Sequence, residues 1–435
     1  MSESTSNSKS ESKYKSKYKA EAERLQRLLF EKLLDMSRDG DIIGVKRLIK
    51  MGADVNRDDS ELGGTPLIIA SYQGHLSVAQ FLVSSNADIN KTGNDGYTPL
   101  HVASEKGHLE VAQCLVLSNA DINKANDTGC TSLSIASNRG HFEVVRFLVL
   151  SNADINKAND KDCTPLYIAC QNGRLEVVRF LVSSNADINK ANDNGCTPLY
   201  IASQNGHLEV VRFLVLSNAD INKATNNGYT PLLVAIQKRH LEIVQLLVLS
   251  NADVHKASNK GYTPLSIASQ NGQLEIVQIL VESHADVNKA DNGGVTPLMK
   301  ASKNGHSEVV KLLLLKNAEI EKSCEGGATS LHRASYFSHL DVMMTLIDSK
   351  ANLFHKTLDG DTPLDVAKTD EIRQCIINNP WYRRRRLIVM RPHNDHLSNK
   401  EHRLTALGWL VTAKETGDGE DVELFHLKRV VASFL

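Results

Sequence analysis

Aromatic residues make up only 5% of this 435-residue chain, with two tryptophans in all. That scarcity speaks against a globule wrapped around one large core and for thin layers filled by Ala, Leu and Val. Long apolar runs are missing too: none approaches the ~20 residues of a membrane helix, and residues 1–19 lack the apolar core of a secretory signal. We therefore expect no membrane span and an intracellular chain. Seven cysteines, an odd number without a Cys-x-x-Cys pair, agree with a reducing compartment. Three of them, Cys130, Cys163 and Cys196, recur at one interval, so in stacked helical layers about 10 Å apart they lie too far from one another to bond.

An excess of charge of one sign is also absent, the formal total being -1. Residues 1–19 carry five lysines against two glutamates, and residues 379–435 carry ten basic against seven acidic side chains. Each end thus contributes +3, which leaves -7 on the segment between them. A mildly acidic middle with basic ends does not read as a nucleic-acid clamp.

Proline is nearly absent outside one position. Eight of the ten prolines follow a threonine in a series that runs Thr65, Thr98, Thr131, Thr164, Thr197, Thr230, Thr263, Thr296, Thr329 and Thr362, every step being 33 residues. A fixed period of that size marks a solenoid of stacked units. Each word between the threonines has a local reason. The threonine caps a helix and the proline fits its first position, where a missing N–H costs nothing. A short first helix ends near Gly74, Gly107, Gly140, Gly173, Gly206, Gly272 and Gly305, where the backbone must turn left-handed. A second helix follows with Leu109, Val111, Ala112, Leu115 and Val116 on one face and an acid in its first turn, and it stops at asparagines such as Asn119 and Asn152.

This grammar resembles the ankyrin repeat, whose 33-residue consensus opens Gly-x-Thr-Pro-Leu-His and closes Gly-Ala-Asp-Val-Asn. Tetratricopeptide units lack the Thr-Pro-Leu opening and HEAT units are longer. The resemblance covers roughly residues 30–378 and includes an atypical first unit, Leu33 to Asn56. It implies an all-α ankyrin-repeat solenoid of about eleven units. Residues 1–19 are expected to be disordered, residues 20–378 to form the repeat domain, and residues 379–435 a basic, amphipathic helical tail. In the last unit Ala-Lys-Thr-Asp-Glu-Ile-Arg replaces the glycine turn, and a shortened second helix is expected there.

Chemistry within the repeats is hard to find. There is no glycine-rich phosphate loop, no His-Glu-x-x-His and no nucleophile elbow, so we expect no enzyme, no cofactor and no metal. His75, His108, His141, His207, His240, His306 and His339 share one slot after the turn. They are spaced too widely to share a zinc ion and read as turn residues that each repeat carries on its own. Lys91, Lys124, Lys157 and their successors recur three residues after Asp88, Asp121, Asp154 and theirs, which suggests a self-neutralised loop edge.

Function then falls to the positions left free to vary. In the family, hairpin tips and first helices line a concave surface that binds proteins, and the resemblance carries this role to two sets of slots. The tip slot, just before each threonine, offers Tyr97, Tyr229 and Tyr262 as aromatic anchors. The helix slot, a pair before each turn, offers Tyr72, Glu105 with Lys106, Arg139, Lys303, and Tyr336 with Phe337, around a polar centre rich in Gln and Asn. Tyr72, Tyr97 and the region near Tyr336 are expected to give specificity, with the central repeats adding length. The tail opens with Arg383, Arg384, Arg385 and Arg386, a nuclear-import run or a solvated charge run. Ser398 with Glu401, and Asp421, are placed to cap two further helices. The reading is a monomeric, cytoplasmic scaffold or adaptor for other proteins. Its alternatives are a nuclear regulator of transcription or chromatin proteins and a substrate adaptor of a ubiquitin ligase.

Overall fold

The computed structural model describes residues 4–58, 64–380 and 382–383. Among them the chain forms 21 α-helices and no strand. It divides into two compact units, residues 1–373 and 374–435. The expected caps at Ser398, Glu401 and Asp421, and Arg384 to Arg386, lie outside the described residues.

The repeat beginning at Thr98 shows how the local sequence sets the fold. Thr98 stays extended (φ -90°, ψ 168°) and its Oγ1 accepts the His101 N–H at 3.3 Å; Pro99 then opens the helix Pro99–Lys106. Gly107 turns the chain at φ +78°, and the helix Leu109–Leu117 runs back. Leu100 from the first helix and Val111, Ala112 and Leu115 from the second are wholly buried. Burying one such leucine contributes about 1.5–3 kcal/mol, and the same four positions recur along the stack. Threonine caps from Thr65 to Thr329 are no more than 3% exposed. Where Ser132 and Ser330 replace proline, the helices Ser132–Arg139 and Ser330–Tyr336 still start at the same point behind Thr131 and Thr329. As far as the helix Leu340–Asp348, each first helix packs on the first helices of its neighbours, and each second helix on the second helices.

Three seams join successive repeats. At the hairpin tips a backbone N–H reaches the preceding tip's carbonyl, as Asn226 to Asn194 at 3.0 Å and Asp127 to Asp95 at 3.1 Å. Beside the second helices, the Asn90 Oδ1 accepts the Asp121 N–H and the Asn123 Oδ1 accepts the Asp154 N–H, both at 2.8 Å. The third seam is the histidine column. His207 Nε2 lies 3.0 Å from the Gln171 carbonyl and His141 Nε2 2.8 Å from that of Glu105. A carbonyl only accepts, so the proton sits on Nε2. These histidines therefore do not serve their own repeat alone, as the sequence suggested; each closes the open end of the preceding first helix. The Asp and Lys columns also differ from expectation. Asp121 Oδ1 accepts the Asn123 N–H of its own turn, while Lys124 Nζ donates to the Asn90 carbonyl of the preceding repeat. Within one repeat only Lys322 and Glu319 form the anticipated ion pair, at 3.7 Å, among the described residues.

The ends bring two further differences. One helix runs unbroken from Ser4 to Asp39, through a stretch whose polar composition suggests disorder. No proline or glycine precedes Gly40, so nothing interrupts the backbone ladder, and Asp41 then caps the helix Ile42–Lys50. In the last unit the second helix, Asp370–Asn378, keeps the nine residues of the others. The first helix is the part that is lost, reduced to a turn at residues 363–366. There Asp365 reaches back to the Thr362 N–H at 2.8 Å. Thr369, in place of glycine, caps the second helix by accepting the Ile372 N–H.

Candidate functional site

Structural positions of each repeat are buried, and the helix-slot pairs stand clear of them. Tyr72, Tyr336 and Phe337 are 42%, 44% and 43% exposed, and Lys106, Arg139 and Lys303 are exposed as well. Two clusters result. At the first, Lys106 Nζ lies 4.3 Å from the Tyr72 ring centre, and Glu105, half-buried, pairs with Arg139 of the next repeat. Tyr72, Tyr97 and Glu105 line one cleft with Arg38 and Ile69. At the second, the Tyr336 and Phe337 rings meet edge to face at 5.0 Å, with Lys368 Nζ 3.8 Å from the first ring and Lys303 Nζ 5.3 Å from the second. Ammonium groups over aromatic faces hold both in place and keep them wet.

Tip-slot tyrosines sit differently: Tyr97, Tyr229 and Tyr262 are half-buried between successive hairpins. Burial, then the nearby Glu105 carboxylate, pushes the Tyr97 phenol above its usual pKa. Burial, then Tyr262, does the same for Tyr229. The Tyr262 ring is covered by Lys300, whose Nζ lies 3.9 Å from its centre. Arg383 falls in the second compact unit, hydrogen-bonded to the Asn378 side chain.

Two features escaped the sequence reading. Lys300 occupies a slot that Ile267 and Ile201 fill elsewhere, yet its side chain is 8% exposed, with Nζ 3.1 Å from an Asp291 carboxylate that is itself 9% exposed. Burial lowers its pKa and Asp291 opposes that shift. The second is a column of leucines closing the second helices: Leu117, Leu150, Leu216, Leu249 and Leu315 are 69–83% exposed. Their 33-residue spacing could have revealed them, but a leucine ending an apolar helix reads as core.

A family model described as ankyrin repeats matches residues 33–126, 115–192, 185–258, 249–324, 265–357 and 298–376, which together span the whole stack. The chain belongs to the ankyrin repeat family. Its ankyrin repeats are similar to human protein phosphatase 1 regulatory subunit 27, with 44% identity over 57 residues, 13% of this chain and 36% of that protein. The mouse protein of the same name is 42% identical over 57 residues, with the same coverage. The chain thus spans about a third of the length of these curated relatives. Ankyrin repeats mark the chain as one with protein partners. Among the described residues no helix is long and apolar enough to cross a membrane, and no group of three or more His, Cys, Asp or Glu is placed to hold a metal ion.

Proposed function

We propose that this chain is a non-enzymatic scaffold or adaptor that binds proteins through the face carried by its first helices and hairpin tips. The observation that carries this reading is the exposure of large aromatic rings at Tyr72, Tyr336 and Phe337 beside lysine ammonium groups, on helices whose other apolar side chains are largely buried. Rigid rings held beside cations are the residues that dominate interface energetics. The likeness to a phosphatase regulatory subunit supports a role in binding rather than catalysis. We take the cytoplasm as its compartment, the nucleus being the alternative through Arg383 to Arg386. Affinity capture with the full chain and with Tyr336→Ala plus Phe337→Ala tests the reading. Partners that come down with the first and not the second support it; an unchanged set removes this cluster from the interface.

A further inference from the structure

The second aromatic cluster has an unusual charge environment. Lys303 and Lys368 lie against the Phe337 and Tyr336 rings, Arg333 stands one turn earlier on the same helix, and Lys300 over Tyr262 is close enough that the charges of Arg333 and Lys303 both act on it. Asp291 is spent on Lys300. Among the described residues no carboxylate pairs with Lys303, Arg333 or Lys368. Arg333 touches the Cys324 thiol, but its buried Nε has no hydrogen-bond partner. The nearby carboxylate of Asp365 is engaged by the Thr362 N–H and hydroxyl at 2.8 and 2.6 Å. Four cations against the two carboxylates of Asp291 and Asp365 leave +2 on a patch of a stack that is acidic as a whole. Like charges gathered without counter-charges repel, and an anionic ligand relieves them.

We propose that this patch docks an acidic peptide segment of a partner protein, with carboxylates on Lys303, Arg333 and Lys368 and an apolar or aromatic side chain against Tyr336 and Phe337. Charge sets the acidity of the partner, and the rings require a side chain that a simple anion lacks. This inference rests on the protein-binding role proposed above and deepens it.

The test is selection of random peptides displayed against the full chain, followed by anisotropy titration of the enriched peptides. Enriched sequences should carry net negative charge and an aromatic or leucine residue. Both Lys303 and Lys368 are exposed, so Lys303→Glu plus Lys368→Glu should keep the wild-type melting curve while affinity falls about tenfold, two exposed pairs having turned repulsive. Tyr336→Ala plus Phe337→Ala should weaken the same peptides. Enriched peptides without acidic bias, or equal affinity for the charge-reversed chain, overturn the inference while leaving protein binding intact. Full displacement by inorganic phosphate, with no dependence on the two rings, overturns it in favour of an anion site. Absence of any enriched peptide overturns both readings.

Discussion

Lowering the pH should loosen the repeat that begins at Thr98, and His101 is the reason. Its ring is completely buried, and Nδ1 accepts the Thr98 N–H at 3.0 Å and the Thr98 hydroxyl at 2.8 Å. Burial pulls its pKa down from 6.5 to about 4. The folded chain therefore keeps the ring neutral while the unfolded chain protonates it near 6.5. Between these values the unfolded state binds more protons, so stability falls as pH drops through the window and levels off below the lower one. The difference between 6.5 and about 4 corresponds to about 3 kcal/mol. His101→Tyr isolates the effect, since Tyr167 and Tyr200 fill the same slot in other repeats. His332, also neutralised by burial, is present in both chains and cancels. Hydrogen exchange over residues 98–117, with urea titration by circular dichroism, should show the wild-type advantage over the variant shrinking by about 3 kcal/mol from neutral pH to about pH 4. A constant difference between the two chains across that range would refute the reasoning.

Two other substitutions test the seams and the buried pair. A Cβ on Gly173 would lie 2.6 Å from His207 Nδ1, whereas one on Gly52 meets nothing within 4 Å, though both glycines have positive φ. Denaturant midpoints should therefore place Gly52→Ala about 1 kcal/mol down and Gly173→Ala about 1 kcal/mol lower still, from the displaced hydrogen bond. Lys300→Ile alone should cost about 3 kcal/mol, the low end for breaking a buried pair, because Asp291 keeps the N–H groups of Gly293 and Val295. Adding Asp291→Ser, the residue at Ser258 one repeat earlier, should recover most of that loss in thermal melts.

What was legible in the sequence was local. Thr98 as cap, Pro99 as first residue, Asn119 in the left-handed region at φ +67° each depend on neighbours within a few positions, and each stands where the pattern put it. Interactions between repeats were not legible. His207 meets Gln171 across 36 residues, and Lys300 meets Asp291 only once the hairpin has folded. The same blindness explains Arg239 in a glycine slot. In most junctions the next repeat's histidine presses on the turn glycine, as His240 does on Gly206, but after Arg239 the facing residue is Gln273. The substitution is matched by its neighbour, Gln273 donating its side-chain N–H to the Ile236 carbonyl at 2.9 Å. At the candidate site, the phase of the repeat was enough to find Tyr72, Tyr336 and Phe337 exposed. It was not enough to see that Tyr262 lies under Lys300, or that Glu105 and Arg139 satisfy each other.

Two exposed sets compete as the binding surface, the rings of the first helices and the leucines that close the second helices. The most direct measurement is affinity capture with two variants of the full chain, one with Tyr72, Tyr336 and Phe337 changed to alanine, the other with Leu117, Leu150, Leu216 and Leu249 changed to serine. Partners lost with the first variant and retained with the second are the predicted outcome. Retention with the first and loss with the second would move the interface to the leucine column and contradict the account.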